Sequence, residues 1–192
     1  MNSEQRITIN IFKTVTKAIA ESNDLDIMTN HLSQLLVAAL DIKACAIYLL
    51  DLETKELEML ASFGLSPKYV SKGPLLADKS ISANLNGEAI IVRDVTKGDS
   101  IQYPDAVKAE GIAAILSIPI MVSGGVLGAL RLYHREVWNI SDQDLDSLHI
   151  LAEIIGLAMT YTSLLRAIYT INDVIHMGLP INIAPDKRRS RR

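Results

Sequence analysis

Between Glu110 and Arg131 the chain runs for 20 residues without a charged side chain, GIAAILSIPIMVSGGVLGAL. Length alone permits a membrane-spanning helix. Pro119 in the middle and the Ser123-Gly124-Gly125 turn signal argue against one. They divide the stretch into two short apolar runs, ILSIPIMV and VLGALRLY. That pattern predicts two buried strands joined by a tight hairpin, and no membrane span. A protein built around such a hairpin needs helices or a second sheet to cover it.

The rest of the composition fits one domain. The chain has 192 residues, 49% hydrophobic and 21% charged, enough to bury a core without covalent staples. The lone cysteine, Cys45, excludes a disulfide framework, a Cys-rich zinc site and a CxxC redox pair. The start, MNSEQRITINIFK, lacks a basic segment followed by an apolar one, so a signal peptide is not expected and a cytoplasmic location is. Five of the 19 basic residues sit in the tail KRRSRR, residues 187–192. Without that tail, 14 basic residues face 22 acidic ones, a net of −8. Nucleic-acid binding by the body is therefore not expected. Residues 180–192 carry Pro180 and Pro185 and read as a disordered basic tail. The sharper reading of the tail is an electrostatic hook for an acidic partner, membrane surface or nucleic acid.

Periodicity supplies the remaining elements. Ile7, Ile11, Val15, Ala18 and Ile19 share one face of an N-terminal helix within residues 1–22. After Ser22-Asn23-Asp24, which favours a cap or turn, Met28, Leu32, Leu35, Leu36 and Ala39 form the stripe of a second helix ending near Asp41. Residues 44–50 read as a short apolar strand and residues 56–62 as its alternating hairpin partner. Residues 66–88 read as loop with a short helix around 80–85, residues 89–92 as a third strand, and 104–110 as one or two helical turns opening at Pro104.

The last helix opens at Ser141, with Asp144 completing a Ser-x-x-Asp start signal, and runs to about Gly178. It carries two apolar stripes about 120° apart. Leu148, Leu151, Ile155, Ala158, Thr162, Leu165 and Tyr169 can cover a sheet. Ile150, Ile154, Leu157, Tyr161, Leu164, Ile168, Ile171 and Ile175 keep heptad spacing and need another partner. Either the N-terminal helix of the same chain covers this second stripe, or it is the seam of a homodimer. Both hold if the end helices form half of a four-helix bundle. Residues 163–179 thus read as a coiled-coil-like extension.

Several phrases, in order and spacing, resemble the GAF domain family over residues 23–162. They are Leu25-Asp26-Ile27-Met28, Ala46-Ile47-Tyr48-Leu49-Leu50-Asp51, Ala61-Ser62-Phe63-Gly64-Leu65-Ser66 and Ile91-Val92-Arg93-Asp94-Val95. The strongest run from Glu110-Gly111-Ile112 through Ser117-Ile118-Pro119-Ile120 to Gly124-Gly125-Val126-Leu127-Gly128-Ala129-Leu130, followed by Trp138-Asn139-Ile140-Ser141-Asp142-Gln143-Asp144. The resemblance implies an α+β fold: a profilin-like central antiparallel sheet with the terminal helices on one face. Loops and short helices then close a small-molecule pocket on the other. It also implies a sensing or regulatory domain in signal transduction whose signal leaves through the terminal helices.

Strand alternation sorts the candidate site residues. Leu116, Ile118, Ile120 and Val122, with Val126, Gly128, Leu130 and Leu132, suit the helices. The sides bearing Ser117, Arg131 and Tyr133 then look toward the pocket, with Tyr48 beside them, a few polar groups on an apolar wall. Each of Arg131 and Tyr133 can instead reach solvent at a strand end. Ser80, Ser82 and Asn84 lie near a short helix start suited to an anion. Arg93 can meet a carboxylate or phosphate, or be solvated while Asp94 caps a turn.

Several specific chemistries of the family lack their usual marks in this sequence. Bilin-binding relatives use a cysteine in the pocket segment, whereas Cys45 is in the first strand, so covalent bilin attachment is not expected. Free methionine sulfoxide reductases of the family need several cysteines. Cyclic-nucleotide members carry an Asn-Lys…Phe…Asp-Glu pattern, replaced here by Tyr133-His134-Arg135…Trp138…Asp142-Gln143. No spacing among His31, His134, His149 and His176 suggests a metal site, and no phosphate loop or nucleophile elbow occurs. Catalysis is therefore not expected, and the cofactor, if any, is unknown. Two readings follow: a ligand-sensing domain relaying through its helices in a homodimer, or a ligand-free module that dimerises and acts on a kinase or transcription factor in trans. Residues after 178 read as no kinase, helix-turn-helix or cyclase, so the expectation is that the chain either acts in trans or is a fragment of a longer one.

Overall fold

The computed structural model describes residues 7–80, 88–97 and 101–178. Its centre is a six-stranded sheet in the order β3-β2-β1-β6-β5-β4 with every neighbouring pair antiparallel. The strands are β1 (Ala44–Leu50), β2 (Glu56–Phe63), β3 (Leu75–Leu76), β4 (Ile90–Val92), β5 (Ala114–Val122) and β6 (Gly125–His134). The uncharged 20-residue stretch is the β5–β6 hairpin. Ser123 (φ 52°) and Gly124 (φ 78°) make its two-residue turn, the left-handed pair whose twist matches that of the strands.

Three helices cover one face: α1 (Ile9–Ala20), α2 (Leu25–Leu40) and α6 (Asp142–Gly178). The Asp24 carboxylate caps α2 by accepting from Ile27 N, and Asp41 ends the helix in the left-handed conformation. Ser141 Oγ accepts from Asp144 N at 3.1 Å, and Asp144 Oδ1 accepts from Ile7 N at 2.9 Å. One buried carboxylate thus joins the start of α6 to the approach of α1. The core beneath these helices is built from apolar side chains, among them Met28, Leu32, Leu36, Cys45, Ile47, Leu116, Ile118, Leu130, Leu132, Leu148, Leu151 and Ile155.

The stretch Asp142–Asp173 is long and apolar enough to cross a bilayer. In the fold, however, its Leu148, Leu151, Ile155 and Ala158 are buried within the core. Beyond Thr162 the helix outruns that core, so Leu165 is only half-buried and Tyr169 is 63% exposed. The second stripe stays open: Ile150, Leu157, Tyr161, Leu164, Ile168, Ile171 and Ile175 are all exposed, and Ile154 is half-buried.

The opposite face carries the shorter elements: α3 (Pro67–Val70), α4 (Ala77–Ser80) and α5 (Pro104–Ala109). α3, β3 and α4 occupy part of a segment expected to be loop. The reason is local: Ser66 Oγ caps α3 by accepting from Tyr69 N, and Pro67 stands at its first position. Two further expectations need correction. Ala39 is exposed and Leu40 takes its place in the α2 stripe. A bulge between Ile120 and Met121 pairs Ile120 with Gly128 but Met121 with Val126. The extra residue, Leu127, packs on the helix side and Val126 on the other, the reverse of simple alternation.

Candidate functional site

Register sets the site. Ser117 on β5 pairs with Arg131 on β6, and Arg131 pairs on its other side with Ala46 of β1. Tyr133 lies two residues along β6 from Arg131, opposite Ala44, and Tyr48 lies two along β1 from Ala46. Because side chains two apart share a face, Ser117, Arg131, Tyr133 and Tyr48 come together on the face that α1, α2 and α6 do not cover. All four are buried.

Tyrosines organise the floor. The hydroxyls of Tyr48 and Tyr133 lie 3.3 Å apart and share a hydrogen bond. Tyr69, delivered by α3, stands edge-on to Tyr133 with ring centroids 5.8 Å apart. Arg131 Cζ lies 5.6 Å from the centroid of the Tyr133 ring. Burial above all pushes the Tyr48 phenol well above its ordinary value, with neighbouring Tyr133 adding to it, so it stays a neutral donor and acceptor. Tyr69 shifts the same way for the same leading reason.

The cavity above this floor holds about 20 Å³, room for one or two waters. Ser117 and Arg131 line it on the sheet side, with Tyr69, Lys72, Tyr103 and Val107 opposite. Lys72 Nζ sits 4.0 Å from the Tyr69 centroid and 5.9 Å from that of Tyr103, and donates to Tyr69 O at 3.3 Å. Burial, then repulsion from Arg131, pushes the Lys72 ammonium down to about 8.

The rim is stitched by hydrogen bonds. Gln102 bonds Leu76 N and Pro74 O, and Tyr103 donates to Pro74 O at 2.8 Å. Glu110, at the end of α5, accepts from both Ser66 N and Ser66 Oγ and pairs with Lys43 Nζ at 3.2 Å. Burial opposes ionisation of Glu110, but the Ser66 hydrogen bonds and then Lys43 outweigh it and hold the carboxyl below its ordinary value. The carboxylate thus ties α3, α5 and the edge of β1 into one frame.

Two polar atoms in this site have no partner among the described residues: Ser117 Oγ and Arg131 Nε. Arg131 is 8% exposed and Ser117 1%. A guanidinium keeps its charge at any accessible pH, so the cavity holds a buried cation without a neutralising carboxylate among the described residues.

The other candidates fall elsewhere. Arg93 is exposed just past β4, and its carbonyl accepts from Trp138 N. The Asp94 carboxylate accepts from Thr96 N and Thr96 Oγ1 and pairs with Lys97 at 3.2 Å. Neither lines the cavity, because the turn after β4 spends Asp94 on its own backbone and turns Arg93 to solvent. Ser80 ends α4, while Ser82, Asn84 and the tail from Lys187 to Arg192 lie outside the described residues. Cys45 is buried on the helix face and points away from the cavity; burial raises its thiol far above its ordinary value. Among the described residues no cluster of three His, Cys, Asp or Glu gathers to hold a metal.

Sequence reasoning missed Tyr69, Lys72, Gln102 and Tyr103, all from segments read as loop. The Ser66-Pro67 cap signal was the available clue, since it places Tyr69 one turn into a helix.

Comparison with known proteins places this geometry. Residues 22–160 match the family model of the GAF domain. The GAF domain of a phosphoenolpyruvate-protein phosphotransferase from Coxiella burnetii superposes with TM-score 0.74 at 20% identity, covering 86% of this chain and 99% of its own. The free methionine-R-sulfoxide reductase of Neisseria meningitidis, solved with its substrate, gives 0.70 at 14% identity over 85% and 94%. A phycoerythrobilin-bound GAF domain from a cyanobacterial phytochrome gives 0.65 at 16% identity over 86% and 100%. Likeness at these identities concerns the fold. No curated protein sequence matches the chain.

Proposed function

Because the chain belongs to the GAF domain family, whose members are small-molecule sensing and regulatory domains of signalling proteins, we propose that it senses a small molecule at the Arg131–Ser117 cavity and relays its state through α6. The observation that carries this reading is the pair of buried, unpartnered polar atoms in one cavity. Groups of that kind cost stability unless something completes them, and a ligand is the completion a sensor requires. The relay is short. On β5, Ser117 faces the cavity while Leu116 and Ile118, its direct neighbours, pack in the core shared with α6. A ligand that shifts β5 shifts what α6 rests on, by as much as its affinities for the two arrangements differ.

The output is a homodimer in this reading. Ile150, Ile154, Leu157, Tyr161, Leu164, Ile168, Ile171 and Ile175 alternate steps of four and three along α6. That strict heptad is a coiled-coil seam, self-complementary across a two-fold axis, and α1 and α2 leave it open. The same exposed stripe favours the second reading, a ligand-free module that docks a kinase or transcription factor in trans. We take the chain to act by binding rather than by thiol chemistry, and to do so in the cytoplasm; Cys45, the one thiol, is on the wrong face of the sheet and held protonated by burial.

Thermal-shift screening with nucleotides, organic acids and amino acids tests the sensor; a saturable hit supports it, and silence across all three classes leaves the ligand-free module. Sedimentation tests the seam. Wild type is expected to be a dimer at micromolar concentration, and Leu157→Glu, Leu164→Glu and Ile171→Glu together should give folded monomers. A wild-type monomer would end the dimer reading.

A further inference from the structure

We infer that the ligand of this cavity is a small oxyanion, a carboxylate or phosphate group of a few heavy atoms, seated on Arg131 and Ser117. The inference rests on the sensing reading above and names the class of molecule sensed. Three observations carry it. The cavity wall presents three cationic side chains, Arg131, Lys72 and Lys79, and no acidic one among the described residues. That lining disfavours a cation, and among the described residues it leaves the buried guanidinium uncompensated.

The unpartnered atoms are of the right kind and in the right place. Arg131 Nε is a donor with no acceptor, and Ser117 Oγ stands across the strand pair from it in register. A carboxylate or a phosphate takes two parallel hydrogen bonds from a guanidinium, and a serine hydroxyl completes a third. The groups facing Arg131 are Tyr48, Tyr69 and Tyr133, with Lys72 across the cavity. Glu110, the carboxylate nearest in role, already serves Ser66 and Lys43. The Tyr133 ring offers a partial substitute for a counter-charge, weaker than an ion pair and unable to satisfy Nε.

The third observation is size. A cavity of about 20 Å³ holds one or two waters' worth of atoms. Water would satisfy the donors but not the charge. A formate- or acetate-sized group does both with the least movement of the wall.

The test compares charged and neutral isosteres on the whole chain. Melting temperature is measured in sodium formate, sodium acetate and inorganic phosphate, each against sodium chloride of equal ionic strength, and in formamide and acetamide. We expect a saturable rise with at least one oxyanion, about 5 to 10 °C at a hundredfold excess over Kd, and none with the amides. The carboxylate and phosphate arms decide which head group is read.

Arg131→Met, similar in volume but uncharged, is expected to abolish the response while melting at or above the wild-type temperature without ligand, since it removes a buried charge rather than a bond. Ser117→Ala, a smaller change, should weaken the best oxyanion about tenfold. A response to acetamide with all oxyanions silent overturns the assignment and leaves the sensing reading standing. An oxyanion response that survives both substitutions overturns the assignment too, because binding is then elsewhere. An Arg131→Met protein that unfolds at markedly lower temperature shows the charge to be structurally partnered and likewise overturns it.

Discussion

Ile118 and Ser117 are neighbours on β5, both buried, and face opposite ways. Ile118 lies in a core of apolar side chains shared with Met28, Leu130 and Leu148. Ser117 lies beside Arg131, and each has a polar atom without a partner among the described residues. One layer of backbone separates a face packed for stability from a face packed around unmet polar groups. The helix face gains by excluding water from hydrocarbon. The cavity face gives up part of that gain, and the fold tolerates it because the other face is complete. Binding residues placed on a rigid sheet inherit its precision.

The widest separation between the faces should appear in that neighbouring pair. Ile118→Ala removes buried methyl groups from a close-packed core and should cost about 2 to 5 kcal/mol in chemical denaturation. Ser117→Ala deletes an unpartnered hydroxyl and should leave stability unchanged or raise it by up to ~1 kcal/mol. If Ser117→Ala costs as much as Ile118→Ala, the two faces do not differ in the way described.

A smaller effect probes how closely α6 is seated. Gly156 lies where α6 crosses β5: a Cβ there would come within 2.7 Å of Ile120 Cγ2 and 2.9 Å of Val122 Cγ2. Both residues are branched at Cβ, so their methyl groups have little room to yield. Crowding of this kind costs about 1 to 3 kcal/mol, offset by about 1 kcal/mol of helix propensity when glycine becomes alanine. Gly156→Ala should therefore destabilise by roughly 1 kcal/mol, where an exposed helical glycine would gain stability by the same change. A gain in stability would mean that α6 stands further from the sheet than this, and the proposed coupling of β5 to α6 would weaken with it.

The two faces also differed in how well they could be read from sequence. The helix face is mostly repetition: 3.6-residue stripes in α1, α2 and α6, and alternation in β5 and β6 up to the bulge. A repeated pattern survives an error at any one residue, as when Leu40 replaced Ala39 in the α2 stripe. The cavity face is built from single residues at the ends of very short elements, Tyr69 in a four-residue helix and Lys72 just beyond it. Ser117 and Arg131 were legible because they interrupt long strands. Arg93 and Asp94 carried two readings in sequence, a binding pair or a self-bonded turn, and the structure shows the turn, with Asp94 accepting from Thr96 and Arg93 exposed. The bulge at Ile120–Met121 inverted Val126 and Leu127 for a related reason: an added residue in one strand is a tertiary choice, and alternation read along one strand does not contain it.

The smallest effect is a pH dependence of opposite sign on the two properties of the cavity. Lys72 titrates at about 8 in the fold, from burial first and Arg131 second, and in the ordinary lysine range when unfolded. Below pH 8 it is charged in both states and its burial cost is felt in full. Between about 8 and the ordinary lysine value the native chain has released a proton that the unfolded chain still holds. Stability contributed by this residue therefore rises with pH across that window. Solvent around its half-buried side chain keeps the gain under ~1 kcal/mol. Affinity for an oxyanion should move the other way, weakening as pH climbs through 8 and a cation is lost from the wall. The difference between wild type and Lys72→Met, in denaturation and in acetate titration at pH 7 and 9, isolates both slopes. Slopes of the same sign would place Lys72 outside the binding site and leave it only a packing role beside Tyr69.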